Sequence, residues 1–233
     1  MKRVFTIIST IAISLITIAQ NNNSTETNNQ SHEYVDLGLS VKWATCNIGA
    51  DSPEDYGYCF AWGEIIADKG MYLWRTYKHN ISHSDYYSDG FTKYCTKSWL
   101  GRDGFEDNKT KLEQMDDAAH ISWGGKWRIP TESEFKELKK NCTWTWTSQN
   151  DVNGYLVTSN IEGYTNRSIF LPAAGLKFGD YYRSHTEEEG YYWTSSLPSD
   201  KVEKASCLAF FSEYIVVFPF ERCYGLSIRP IHP

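Results

Sequence analysis

The six cysteines, Cys46, Cys59, Cys95, Cys142, Cys207 and Cys223, are the most reactive side chains in this sequence. No two stand in a C-x-x-C spacing, so zinc-ribbon and thioredoxin chemistry lack their geometry. An even number suits disulfides in an exported chain, or small buried apolar residues. Cys207 with Cys223 is the first expected pairing, on strands flanking a short meander, and Cys46 with Cys59 the second. A reactive thiolate needs a cation or a helix N-terminus beside it, and only Arg222, next to Cys223, hints at one. His79 and His83 stand in i,i+4 spacing with Asp85 nearby, which would suit a metal on a helix. The Asn, Ser and Tyr residues around them read as loop instead. Asp103, Glu106, Asp107 and Asn108 offer oxygen atoms to Ca²⁺, but not in the EF-hand spacing. No cofactor is therefore expected, with Ca²⁺ as the alternative. There is no G-x-S-x-G elbow and no H-E-x-x-H, so hydrolase chemistry has no recognisable carrier.

Whatever these residues do, the surrounding elements must position them. Apolar residues at 112, 115, 118, 119 and 121 recur at helical spacing and predict a helix over 109–122, stopped by Gly124 and Gly125. Thr131 and Glu134 form a capping box behind Pro130, opening a second helix that ends near Asn141. The rest reads as short strands: 34–37, 144–148, 155–159, 168–171, 191–195, 206–211, 214–218 and 226–230. Asn153-Gly154 is the expected turn between the second and third of these. Helices in the middle and strands on either side argue an α+β fold with antiparallel sheets.

The chain has 233 residues, of which 41% are hydrophobic and 15% aromatic, so a sizeable core can form. Lys+Arg is 23 against Asp+Glu 29, a net charge of -6, which argues against nucleic acid as a partner. Lys2 and Arg3 precede an uncharged, Ile-rich run over 4–19 that ends in small residues. That is the pattern of a secretory signal peptide, expected over 1–19, with a membrane anchor as the alternative reading. A polar, disordered linker is expected over 20–32 and a single domain over 33–233. No later run is long and apolar enough to span a membrane. The protein is expected outside the inner membrane: in the periplasm, at the cell surface or in the medium.

Residues 123–135 read WGGKWRIPTESEF: a glycine stop, a short apolar strand and a capped helix start. This resembles the W-x-G-x-R-(L/I/M)-P-T-x-x-E-(F/W) signature of the formylglycine-generating-enzyme-like branch of the C-type lectin-like fold. YVDLGLSVKWA at 34–44, NIGA at 47–50, FAWGE at 60–64, FLPAAG at 170–175, YWTSS at 192–196 and GLSIRPI at 225–231 are closer to one family. Together they resemble the Fibrobacter succinogenes major paralogous domain, common in exported proteins of gut Bacteroidota. The resemblance implies a C-type lectin-like domain: two short helices packed on twisted antiparallel sheets with long loops, usually without an assigned activity. Trp43, Trp62, Trp127 and Trp193 then read as core, and Arg128 and Arg229 as structural arginines. The N-V-W-E-W-type segment of the formylglycine-generating relatives is missing, as are the E-P-N and Q-P-D triplets of calcium-dependent sugar-binding lectins. A binding or adhesion module with a protein or glycan ligand is expected, not an enzyme. A thiol or hydrolytic enzyme on this scaffold, or a structural surface subunit, is the alternative. The oligomeric state is left open.

Segment 206–222 reads SCLAFFSEYIVVFPFER. Matching it to the family's terminal strands turns Leu208, Phe210, Ile215 and Val217 inward. Tyr214, Val216, Phe218 and Phe220 then point outward, with Phe211 at the turn and Arg222 at the end. This apolar cluster, extended by Phe178, Tyr181 and Tyr182 of the preceding loop, is the expected ligand surface.

Overall fold

The capping box forms as the sequence predicts. Thr131 accepts from the Glu134 N–H, and the Glu134 carboxylate accepts from the Thr131 N–H. In the computed structural model, which describes residues 32–180 and 183–233, this box opens helix α2 (Glu132–Asn141). Helix α1 (Ala118–Trp123) precedes it. The strands are β1 (Tyr34–Val35), β2 (Lys42–Ala44), β3 (Asn80–Ile81), β4 (Gly90–Phe91), β5 (Cys142–Gln149), β6 (Val152–Ser159), β7 (Ser168–Pro172), β8 (Gly190–Trp193), β9 (Lys204–Phe211), β10 (Tyr214–Glu221) and β11 (Ile231–His232). They pair antiparallel in small sheets of order β1-β2-β11, β3-β4, β5-β6-β7 and β10-β9-β8. The fold is α+β with few helices. The signal-peptide and linker expectations over 1–19 and 20–32 lie almost wholly outside the described residues.

Helix α1 is much shorter than the 109–122 helix the periodicity predicts, because Asp116 and Asp117 are committed elsewhere. The Asp117 carboxylate caps Ala119 and His120 and also accepts from the Ile129 N–H across the turn. That fixes the helix start at Ala118. Upstream, the Leu112 N–H bonds the Ser195 carbonyl, and Met115 is 66% exposed, so the apolar stripe never acts as one. The buried Asp116 carboxylate accepts from Lys78 at 3.0 Å, Lys93 at 2.5 Å and the Tyr94 hydroxyl at 2.8 Å.

The turn between β5 and β6 also differs from expectation. It is made by Asn150 and Asp151, both at positive φ, as a two-residue hairpin of this twist requires. Asn153-Gly154 lies inside β6. Gly154 serves packing instead: a Cβ there would sit 2.4 Å from the Leu171 carbonyl oxygen of β7. Gly154→Ala should therefore cost about 1–3 kcal/mol through forced backbone shifts. A denaturant melt showing unchanged stability would reject that account.

The core has one cluster on each face of the β9-β10 hairpin. Leu208 and Phe210 point into a cluster with Trp43, Phe135, Leu138, Tyr192 and Ile231. Ala205, Cys207 and Ala209 point the other way, to Phe60, Trp62, Trp193, Leu226 and Ile228. A third cluster gathers Cys59, Tyr72, Trp74, Phe91, Cys95, Val202 and Cys223. Trp43, Trp62, Trp127 and Trp193 are all buried, as expected of core tryptophans. Arg128 pairs with Glu134, and Arg229 is fully buried among carbonyls.

Two buried groups set an acid-sensitive region. Burial drives His79 down to about 4, so it is neutral in the fold, with Nε2 2.9 Å from the Gly63 carbonyl. Burial works against ionised Asp116, but hydrogen bonds from Lys93, Lys78 and Tyr94 outweigh it and hold the carboxyl at about 2. Each group binds protons more readily in the unfolded chain, so each makes stability fall as pH falls. The His79 contribution should be lost from about pH 6.5 down to about 4, and the Asp116 contribution from about pH 4 down to about 2. Urea melts across this range should show both limbs in the wild type and only the lower one in His79→Gln.

Candidate functional site

The expected ligand surface exists in part. Alternation along β10 carries Val216, Phe218 and Phe220 onto one face of the hairpin, where they pack on the Trp62–Trp193 cluster. Phe220 stacks on buried Tyr191 of β8 at 5.5 Å between centroids, and Phe218 meets Phe220 edge-on at 5.4 Å. Tyr224 stands against Phe220 at 5.0 Å, and Phe178 against Tyr224 at 4.6 Å. Phe211 reaches Tyr191 at 6.3 Å. Phe178, Phe211, Phe218, Phe220 and Tyr224 are each half-buried, so their rings form one shelf with its inner side in the core.

The outward reading of this strand needs correction. Val216, Phe218 and Phe220 do not point into solvent, because a second core cluster covers their side of the hairpin. Ile215 and Val217 are no better buried than they are, packing half-exposed on the opposite cluster. Only Tyr214 is well exposed, at 59%, and it has no ring partner among the described residues. Arg222 is not at the surface at all. It is fully buried, its guanidinium 4.0 Å from the Phe91 centroid and 5.5 Å from that of Trp62. Tyr181 and Tyr182 lie outside the described residues.

Beside the shelf, a cleft of about 400 Å³ opens between Tyr56, Asp68, Lys69, Tyr72, Lys177 and Arg183. The segment that presents Phe178 to the shelf presents Lys177 to the cleft, pinned by reciprocal backbone bonds between Lys177 and Gly225. The cations there are largely matched: Lys69 with Glu64 at 2.7 Å and Lys177 with Asp68 at 2.5 Å. Arg183 donates to the Gly57 carbonyl and to the Cys59 sulfur, at 2.9 and 2.8 Å, and lies over the Tyr56 ring. Its other terminal nitrogen has no partner among the described residues.

The disulfide expectations are also corrected: Cys46, Cys59, Cys95, Cys142, Cys207 and Cys223 are all free thiols. Cys207 stands opposite Phe218 in the ladder, whereas Cys223 lies in the turn beyond the end of β10 at Glu221. The two also belong to different core clusters. Cys59 sits under the cleft against Arg183, while Cys46 is half-buried beside Thr45. Burial raises the thiols of Cys59, Cys95, Cys207 and Cys223, and that of Cys142 to about 11.

The remaining candidates serve the fold. His79 is buried and His83 exposed, where His83 faces Asp89. Asp107 accepts from the Tyr94 and Cys95 N–H groups, and Glu106 from the Ser98 N–H. Among the described residues no group of acidic, His or Cys side chains is arranged to hold a metal ion. No helix there is long and apolar enough to cross a membrane.

Sequence reasoning missed Tyr191, Tyr224 and the whole cleft. Tyr224 shares the parity of Phe218 and Phe220, so carrying the alternation past Arg222 finds it. The cleft joins residues 56–72 to Lys177, Asp180 and Arg183, and no local pattern reports that. No family model, curated protein or solved structure matches the chain.

Proposed function

We propose that this chain is an exported, non-catalytic binding module on a C-type lectin-like scaffold, related to the Fibrobacter succinogenes major paralogous domain, with a neutral glycan as ligand. One observation carries the reading: half-exposed rings stand beside a polar cleft through the neighbours Phe178 and Lys177, and both lysines of that cleft are paired with carboxylates. Half-exposed aromatic rings suit a ring-shaped amphipathic ligand. Lys69 and Lys177 already hold carboxylates, so neither calls for an anion. The Asp68 carboxylate and the Tyr56 and Tyr72 side chains that line the cleft supply acceptors and donors for hydroxyl groups. Raised thiols argue against nucleophilic sulfur, since the thiolate is the reactive form.

An array of neutral and acidic glycans, run beside a pull-down from bacterial and host extracts, tests this. Retention on neutral glycans is expected. Phe178→Ser should weaken it at least tenfold, about 1.4 kcal/mol, with little change in melting temperature. Tyr214→Ser should leave it unchanged, because Tyr214 stands apart from the shelf. Recovery of a protein with no glycan retained would overturn the glycan reading.

A further inference from the structure

Among the described residues the sheet β8-β9-β10 ends at β10, and the backbone groups along that edge carry a definite pattern. The hairpin pairs Phe211 with Tyr214, and in the same register the Arg222 N–H bonds the Glu203 carbonyl. The even residues of β10 therefore face β9, and Ile215, Val217, Pro219 and Glu221 turn their backbone groups away from it. The Ile215 carbonyl is already filled, because Lys139 of α2 donates to it at 2.6 Å. The Glu221 carbonyl is filled by the Tyr224 N–H. Pro219 has a carbonyl but no N–H. Ile215 thus offers a donor only, Pro219 an acceptor only, and Val217 both.

We propose that this edge pairs with β10 of a second copy of the chain, antiparallel and centred on Val217, giving a two-fold dimer. In that register Val217 exchanges both bonds with its counterpart. The Ile215 N–H of each copy meets the Pro219 carbonyl of the other. The donor that proline lacks falls opposite the acceptor that Lys139 has already filled, so nothing in the central stretch is left unpaired. Sliding the strands by two residues one way sets a Val217 N–H against the filled Ile215 carbonyl. Sliding them the other way leaves a Val217 carbonyl facing proline. Only a second copy carries this complement by construction. Ile215 and Val217 on one face, and Val216 and Phe218 on the other, are half-exposed and would extend both core clusters across the axis. A two-fold axis perpendicular to the sheet would also set the two aromatic shelves side by side on one face, so a repeated ligand would be held twice. The pairing itself does not depend on what the shelf binds.

Proline and lysine on an edge strand also serve to blunt it against pairing, and the two readings predict opposite signs. Sedimentation of the full chain over a range of concentrations should show a monomer–dimer equilibrium. Lys139→Met would leave the Ile215 carbonyl unpaired inside the dimer and should weaken association at least tenfold. If lysine only blunts the edge, the same change should strengthen association. Val217→Pro, which leaves the β9 ladder intact, should abolish the dimer, whereas Val217→Thr should keep it. For the register, Val217→Cys should cross-link to its counterpart under mild oxidation, since Cα atoms of such a pair lie about 5.5 Å apart. Ile215→Cys should not. A wild type that stays monomeric, tighter association of Lys139→Met, or cross-linking through 215 instead of 217 would each overturn the proposal. A monomer would leave this edge to a strand from another protein.

Discussion

Replacing Arg229 with methionine should cost the protein about 4 kcal/mol of stability, while the same change at Arg222 should stabilise it by about 1–2 kcal/mol. Both guanidinium groups are fully buried, and burial lowers the pKa of each. They differ in what they touch. Arg229 donates to the carbonyls of Ala44, Thr45 and Phe170 at 2.7–3.1 Å and to Asn47 Oδ1 at 2.8 Å. It ties the end of β2 to β7 and the C-terminal segment, and removing it orphans buried acceptors on separate elements. Arg222 makes one long bond, 3.3 Å to the Tyr94 carbonyl, and its Nε and Nη2 have no partner among the described residues. Rings of Phe91, Trp62 and Tyr77 surround it and contribute about 2 kcal/mol as a desolvated cation–π site. The desolvation of a buried cation costs several kcal/mol, so the balance favours an apolar replacement. Urea unfolding of both variants decides the matter. A large loss at Arg222 would show that its ring contacts outweigh desolvation.

Asp117→Ala should cost about 3 kcal/mol, more than an ordinary helix cap. Loss of the cap alone costs about 0.5–2 kcal/mol. Here the carboxylate also accepts from the buried Ile129 N–H at 2.9 Å, and orphaning that donor adds about 1–3 kcal/mol. Burial raises the Asp117 carboxyl, so the ionised form forfeits part of this gain at neutral pH. Asp117→Asn keeps an acceptor and should recover more than half of the loss in thermal or urea melts. Equal losses for Ala and Asn would show that the charge, not the acceptor, matters.

What was legible in the sequence was local. The Thr131–Glu134 box depends on residues within one helical turn, and it formed where expected. The hairpin alternation over 206–221 was also readable, since its period is fixed by the pleat. What lay opposite each face was not. Leu208 and Cys207 enter different clusters built from distant segments, so alternation could not say that both sides were covered. Helical spacing over 109–122 failed because Asp116 and Asp117 bond residues far along the chain, and those bonds outrank a weak apolar stripe. Gly154 resembled a turn residue for the same reason that it suits a crowded strand: it has no side chain. The cleft had no local signature, since its cations and carboxylates come from two distant stretches.

The buried free thiols turn the molecule into its own opening gauge. A thiol reagent can reach Cys207 only when the β9-β10 hairpin lifts off the core, and Cys223 only when the third cluster parts. Where reclosing is faster than labelling, each rate reports the free energy of that opening. Half-buried Cys46 should label first under native conditions. Labelling at 207 and 223 would then say whether the hairpin and the neighbouring cluster breathe together or separately.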